Sequence, residues 1–118
     1  ERFRIGLSHS AVDYVRNQKR MMQLRTEYNA LTAPFDAVLM PTAPVMPPNV
    51  KRLETDSEFY QRINLLALRN TRIGNLMGLC ALTLPTDEKS VGIMALSAPF
   101  SEAKLLRVGT AMESALRK

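Results

Sequence analysis

From Asn70 to Pro85 a short helical segment, a glycine and an apolar run follow one another without a spacer. Gly78 can take the left-handed conformation that closes a helix. Two apolar runs follow, Leu79 to Pro85 and Val91 to Ala98, separated by Thr86-Asp87-Glu88-Lys89-Ser90. Polar turn residues between two strands predict a hairpin. Both runs are apolar at nearly every position, so the expectation is a sheet covered on both faces. A third short run, Ala37 to Met40, is ended by Pro41 and reads as another buried strand. The fold class expected is therefore α/β.

Three helical segments surround these strands. Ser10 and Asp13 mark a helix start, the hydroxyl accepting a backbone N–H and the acid lying near the helix N-terminus. The helix should run from Ala11 to Leu31 and stop before Pro34, because the residue preceding a proline is pushed out of the helical region. Tyr14, Met21, Leu24, Tyr28 and Leu31 form its apolar stripe, a core or interdomain contact, and Arg16, Arg20, Gln23 and Glu27 lie on another face. Ser57 and Glu58 open a second helix through Phe59, Ile63 and Leu66, which resumes from Thr71 to Met77 after a break. Ser101 is expected to cap the last, with Leu105, Val108, Met112 and Leu116 as its stripe, and with Gly109 either tolerated or marking a close approach. Between the first strand and the second helix, Pro41, Pro44, Pro47 and Pro48 impose a stiff, extended path that reads as a linker. Three helical segments cannot cover strands that are apolar on both faces. Exposed apolar surface, free strand edges and self-association of the isolated chain are expected.

Composition narrows the function classes. With 118 residues and 46% hydrophobic content the chain can bury one core. No apolar run approaches the roughly 20 residues that span a bilayer, and no signal-peptide core is visible, so a soluble, cytoplasmic protein without membrane contact is expected. The start at Glu1, without an initiator methionine, makes a trimmed or proteolysed beginning at least as much to be expected as a natural one. The net charge of +5 comes from scattered residues such as Lys19, Arg25, Lys51, Arg62 and Arg107. These read as a solvated surface, with no nucleic-acid partner expected. Cys80 cannot form an internal disulfide and reads as buried packing. His9, flanked by Ser8 and Ser10, has no Cys or carboxylate at ligand spacing and reads as a surface residue. No phosphate loop, dinucleotide fingerprint or zinc pattern occurs, so neither cofactor nor metal is expected.

The order of motifs carries a resemblance. Phe35-Asp36-Ala37-Val38-Leu39-Met40-Pro41-Thr42-Ala43-Pro44, then Thr71 and Asn75 ahead of Gly78, a strand ending at Pro85, a second strand, and Pro99-Phe100-Ser101-Glu102 opening a helix resemble the C-terminal part of amidase signature enzymes. The resemblance implies that residues 1–118 are the C-terminal portion of one amidase domain, a fragment of its mixed β-sheet core. It also implies amide hydrolysis by a serine nucleophile, activated through a second serine and a lysine. That Lys-Ser-Ser machinery sits on a Gly/Ser-rich segment far upstream, and nothing like it occurs here, so no catalytic residue is assigned to this chain.

What the resemblance does carry over is the substrate wall, namely Leu65, Leu68, Thr71 and Arg72, and it sets beside the linker reading an equal one in which Pro41-Thr42-Ala43-Pro44 shapes a wall near the cavity. Leu65 and Leu68 could equally be core leucines of an amphipathic helix. The glutamine-amidotransferase branch holds its substrate's ammonium with an acid at the position of Leu68, so leucine favours a small-molecule amide with a hydrophobic or neutral portion. Arg72 leaves room for a carboxylate-bearing substrate. The turn between Pro85 and Val91 is shorter than in relatives of this kind, which puts a cavity-rim role for it in doubt. Two other classes stay open, a noncatalytic structural or oligomerising module and a basic nucleic-acid-binding module.

Overall fold

The computed structural model describes residues 2–117. Six helices and three strands follow in the order α1 (Arg2–Gly6), α2 (Ala11–Thr32), β1 (Val38–Pro41), α3 (Val50–Thr55), α4 (Ser57–Ala67), α5 (Arg69–Met77), β2 (Cys80–Pro85), β3 (Gly92–Ser97) and α6 (Glu102–Leu116). The strands form one sheet in the order β1-β3-β2, antiparallel throughout. The expected hairpin is present, with Thr86 N–H donating to the Val91 carbonyl at 3.2 Å to close it.

Several starts and stops follow the local chemistry. The Ser10 hydroxyl accepts from Asp13 N–H at 3.1 Å at the head of α2. The break between α4 and α5 falls at Leu68, and Gly78, at φ 72°, closes α5. α4 opens at Ser57 as expected, behind Asp56, whose carboxylate caps it by accepting from Phe59 N–H at 2.9 Å. The start of α6 differs from expectation. Ser101 precedes α6 without a side-chain capping bond; its hydroxyl turns back to the Ala98 carbonyl and to Ser97 Oγ. A short helix, α3, follows the proline-rich stretch directly, where Asn49 supplies a cap through Oδ1 to Arg52 N–H at 3.2 Å.

The core is centred on β3. Met94, Ala95 and Leu96 are each at most 2% exposed, and Leu105 of α6 is the other buried apolar side chain among the described residues. Coverage of both faces, expected for each apolar run, holds for β3 and fails for β2. Along β2 the half-buried Cys80, Leu82 and Leu84 alternate with exposed Ala81 and Thr83. The cause is the placement of the helices over opposite corners of the sheet. α6 packs on β2 and β3, with Gly109 against Leu82, while on the other face Gly74 of α5 lies against Leu96. Cys80 is accordingly half-buried rather than sealed in a core.

The long helix α2 buries no residue completely. Met21, Leu24 and Tyr28 of its stripe are half-buried, whereas Tyr14 and Leu31 stand in solvent. Its main neighbour is α5, reached also by Arg25 Nε donating to the Leu76 carbonyl at 2.8 Å. Only the middle of the stripe finds a partner, since α5 is nine residues long and α2 is twenty-two. Tyr28 carries its hydroxyl into the protein with no hydrogen-bond partner among the described residues. Desolvation by burial raises its pKa from the ordinary value of 10.0.

Gly109 is the close approach left open by the sequence. A methyl group there would collide with Leu82 Cδ2. Helix propensity favours alanine over glycine by about 1 kcal/mol, and overpacking costs about 1–3 kcal/mol. Gly109→Ala should therefore destabilise the chain by about 1 kcal/mol in denaturant melts. The added loss should largely disappear when Leu82→Ala makes room, a coupling of about 1 kcal/mol. Strict additivity of the two losses would show that α6 does not close on Leu82.

Tyr28 generates a second expectation. In the fold the neutral phenol is favoured, so as pH rises past about 10 the unfolded chain releases its proton first. The stabilising contribution is complete below that pH and is lost as pH climbs through the raised folded value. Melting profiles of Tyr28→Phe should fall less steeply on the alkaline side than those of the parent. At neutral pH the substitution should cost less than about 1 kcal/mol, because no hydrogen bond is broken. Parallel alkaline slopes for the two chains would contradict this reading.

Candidate functional site

The proline-rich stretch after β1 bends past the turn end of the hairpin and lines a recess of about 550 Å³. Pro41 to Met46 form one side, and Thr83, Ser90, Val91 and Gly92 the other. None of these residues is charged. The polar groups are hydroxyls, with Thr42 Oγ1 donating to Thr83 Oγ1 at 3.4 Å. A side chain at Gly92 would meet Thr42 Oγ1 at 2.9 Å, so the bare backbone at that position keeps this corner of the recess open. Such a lining can hold an uncharged group and orient it through hydroxyls, and it offers no acid, base or nucleophile activated by a base.

The four residues expected to face a substrate lie on the neighbouring helices and do not line this recess. Leu65 is on α4 and Leu68 at the α4–α5 junction, 49% and 45% exposed. The break at Leu68 thus puts Leu65 on a different helix from Thr71 and Arg72. Leu68, Thr71 and Arg72 meet around one carbonyl. Thr71 Oγ1 donates to the Leu68 carbonyl at 3.3 Å, and Arg72 N–H donates to the same oxygen at 3.0 Å. Thr71 is half-buried, while the Arg72 side chain stands exposed without an ion-pair partner among the described residues.

Asn70 joins these two regions. Its Nδ2 donates to the Pro41 carbonyl at 2.7 Å, fixing the start of α5 against the start of the proline-rich stretch. No role followed for Asn70 from the sequence. Its position immediately before Thr71, together with a proline-ended strand whose last carbonyl needs a donor, was the available signal. Thr83 was concealed in the same way, as one polar residue in an otherwise apolar strand.

A second cleft, of about 180 Å³, lies where the end of α2 meets β1, β3 and α6. Lys104 Nζ reaches Asp36 Oδ1 at 3.1 Å, and Ser101 Oγ donates to Ser97 Oγ at 2.8 Å, which in turn donates to the Asp36 carbonyl at 3.3 Å. The lysine is engaged by the carboxylate and touches neither serine. Both hydroxyls are spent on carbonyls or on each other, so the cluster ties the start of β1 to α6 without activating a nucleophile. His9 is exposed near the chain start. No group of three or more metal-ligating side chains occurs among the described residues, and no described helix is long and apolar enough to cross a membrane.

Comparison with known proteins follows the same lines. The model of the Amidase family matches residues 2–106. The 2-amino-5-chloromuconic acid deaminase of Comamonas testosteroni is 32% identical over 118 residues, covering 97% of this chain and 25% of that protein. A fatty acid amide hydrolase of Oryza sativa subsp. indica is 27% identical over 111 residues, covering 90% of this chain and 18% of its own. A glutamyl-tRNA(Gln) amidotransferase subunit from Neisseria meningitidis is 34% identical over 106 residues, 85% of this chain and 21% of its own. The chain thus spans a quarter or less of the length of these curated relatives. No solved structure matches it. The matched region contains both the segment that walls the recess and the α5 segment pinned to it by Asn70, and the chain belongs to the amidase family.

Proposed function

We propose that this chain forms part of the substrate wall of an enzyme that hydrolyses linear carboxylic amides to an acid and an amine or ammonia. The serine nucleophile, the second serine and the lysine would be supplied by polypeptide beyond these residues. The observation that carries this reading is the hydrogen bond from Asn70 to the Pro41 carbonyl, which holds the Leu68–Arg72 turn beside an uncharged, hydroxyl-bearing recess. Leu65 and Leu68 are both nearly half exposed, so their methyl groups are available to an apolar portion of a substrate. Arg72 is free to take a carboxylate. The names of the relatives pull the same two ways, the Comamonas protein being a deaminase of a muconic acid and the rice protein a fatty acid amide hydrolase. Leucine at position 68 disfavours free glutamine, whose ammonium would meet no acid there.

The reading is tested by assaying aryl and aliphatic amides with this chain alone and with a longer polypeptide that includes it. The chain alone should show no turnover, because the lysine and the two serines of the proposed mechanism are not assigned within it, and its one serine on a carboxylate, Ser10 on Asp13, is the exposed cap of α2. In the longer polypeptide, Leu68→Asp should lower kcat/KM for apolar amides about tenfold or more, since it replaces apolar surface with a carboxylate in a partly desolvated wall and draws Arg72, one turn on, toward it. Circular dichroism and melting separate this from unfolding. Turnover by the chain alone, or an unchanged kcat/KM in a folded Leu68→Asp variant, would overturn the assignment.

A further inference from the structure

We propose that Ser90 is a specificity-determining residue of the recess, presenting its hydroxyl to an uncharged hydrogen-bond acceptor on the amide substrate; the inference rests on the amide-hydrolase reading given above. Two residues that line the recess stand against the local rules of their own backbone, and both departures fall at the same place.

Ser90 is the first. The hairpin turn is closed by Val91 N–H donating to the Glu88 carbonyl at 3.1 Å, with Ser90 at φ 64° in its third position. That position favours glycine or asparagine, because a side chain on a left-handed backbone crowds the following carbonyl. Short as the turn is, this residue reaches the recess. The turn makes no use of the hydroxyl held there. Thr86 Oγ1 supplies the side-chain bonds of the turn, donating to the Val91 carbonyl at 3.0 Å and lying 3.4 Å from the Glu88 carbonyl. Ser90 is exposed, and its hydroxyl bonds to no other described residue. Strain at a position where the fold has no need of the side chain points to a use for it elsewhere.

Gly92 is the converse. Its backbone lies outside the left-handed region, paired with Pro85 and accepting from Thr42 N–H at 2.9 Å, and glycine weakens a strand. Space is what demands it, since a Cβ would meet Thr42 Oγ1 at 2.9 Å, Thr83 Cγ2 at 3.3 Å and the Leu84 carbonyl at 3.4 Å. The chain thus carries a serine where the backbone favours glycine, and two residues later a glycine where it does not.

The lining gives the chemistry of the occupant. Thr42 Oγ1 donates to Thr83 Oγ1 at 3.4 Å, so the Thr83 proton, like that of Ser90, is left for a group in the recess. The rest of the lining is proline, alanine, valine, methionine and glycine, without charge. Such a site takes the apolar portion of an amide that carries one uncharged acceptor, an ether or carbonyl oxygen, and disfavours a charged end, which would lose its water without gaining a counter-charge.

The test uses the longer polypeptide and a series of aliphatic amides in which an ether oxygen replaces one methylene at each position in turn. At one position the ether amide should be preferred over its all-methylene counterpart by about fivefold in kcat/KM, the value of one neutral hydrogen bond. Ser90→Ala and Ser90→Gly both remove the hydroxyl, the first keeping the left-handed strain and the second relieving it, so Ser90→Gly should melt at the higher temperature. Both should lose the preference, although they differ in stability. A residue needed only for the turn would leave the preference intact in both. Turnover without a preferred position, or a preference that survives in either folded variant, would overturn this inference alone. Absence of turnover for every amide with the unsubstituted polypeptide would remove the hydrolase reading, and this inference with it.

Discussion

Burial of β3 on two faces and two edges is the constraint on which everything else depends. Met94, Ala95 and Leu96 are sealed because β1 and β2 flank the strand and because α5 and α6 press on it from opposite sides. Each neighbour then serves that strand at the expense of its own coverage. β1 half-buries Val38 and Met40 on the face of Leu96 and leaves Leu39 in solvent, and β2 is backed by α6 at Leu82 and leaves Ala81 and Thr83 outside. The result is a plate only 18 Å thick and 49 Å long. A plate of that thickness holds little more than a sheet with a helix on either side.

That geometry explains which parts of the fold were legible in the sequence. The hairpin, the Gly78 stop, the Ser10 cap and the break at Leu68 are set by neighbours within a few residues, where turn and capping chemistry acts. The expectation of double coverage failed at β2 because an apolar run states that a strand can be buried and does not state how many helices reach it. Cys80, Leu82 and Leu84 met a helix, while Ala81 and Thr83, small enough to tolerate water, did not. The stripe of α2 failed in the same way at its ends, since periodicity lays out a face for the whole helix while the partner, α5, is shorter.

The site was legible as motifs and illegible as a place. Leu68, Thr71 and Arg72 could be named from the family resemblance, and the proline-rich stretch could be read as linker or wall. What brings the two regions side by side is one amide nitrogen, Asn70 Nδ2, bonding across 29 residues of chain. No local rule singles out such a bond, because a proline-ended strand leaves its last carbonyl open to any donor that tertiary packing delivers.

The same bond separates the two edges of the sheet in kind. By occupying the Pro41 carbonyl, Asn70 removes from β1 the acceptor that proline's missing donor had left on its outer side, and so holds the recess wall and closes the edge at once. Among the described residues β2 has no such neighbour, and the outward backbone groups of Ala81 and Thr83 meet no partner there. A single side chain thus holds the β1 wall of the recess, whose far wall includes the Thr83 side chain of β2. A group held in the recess would therefore lie across the end of the sheet, between the strand that Asn70 closes and the strand that carries Thr83.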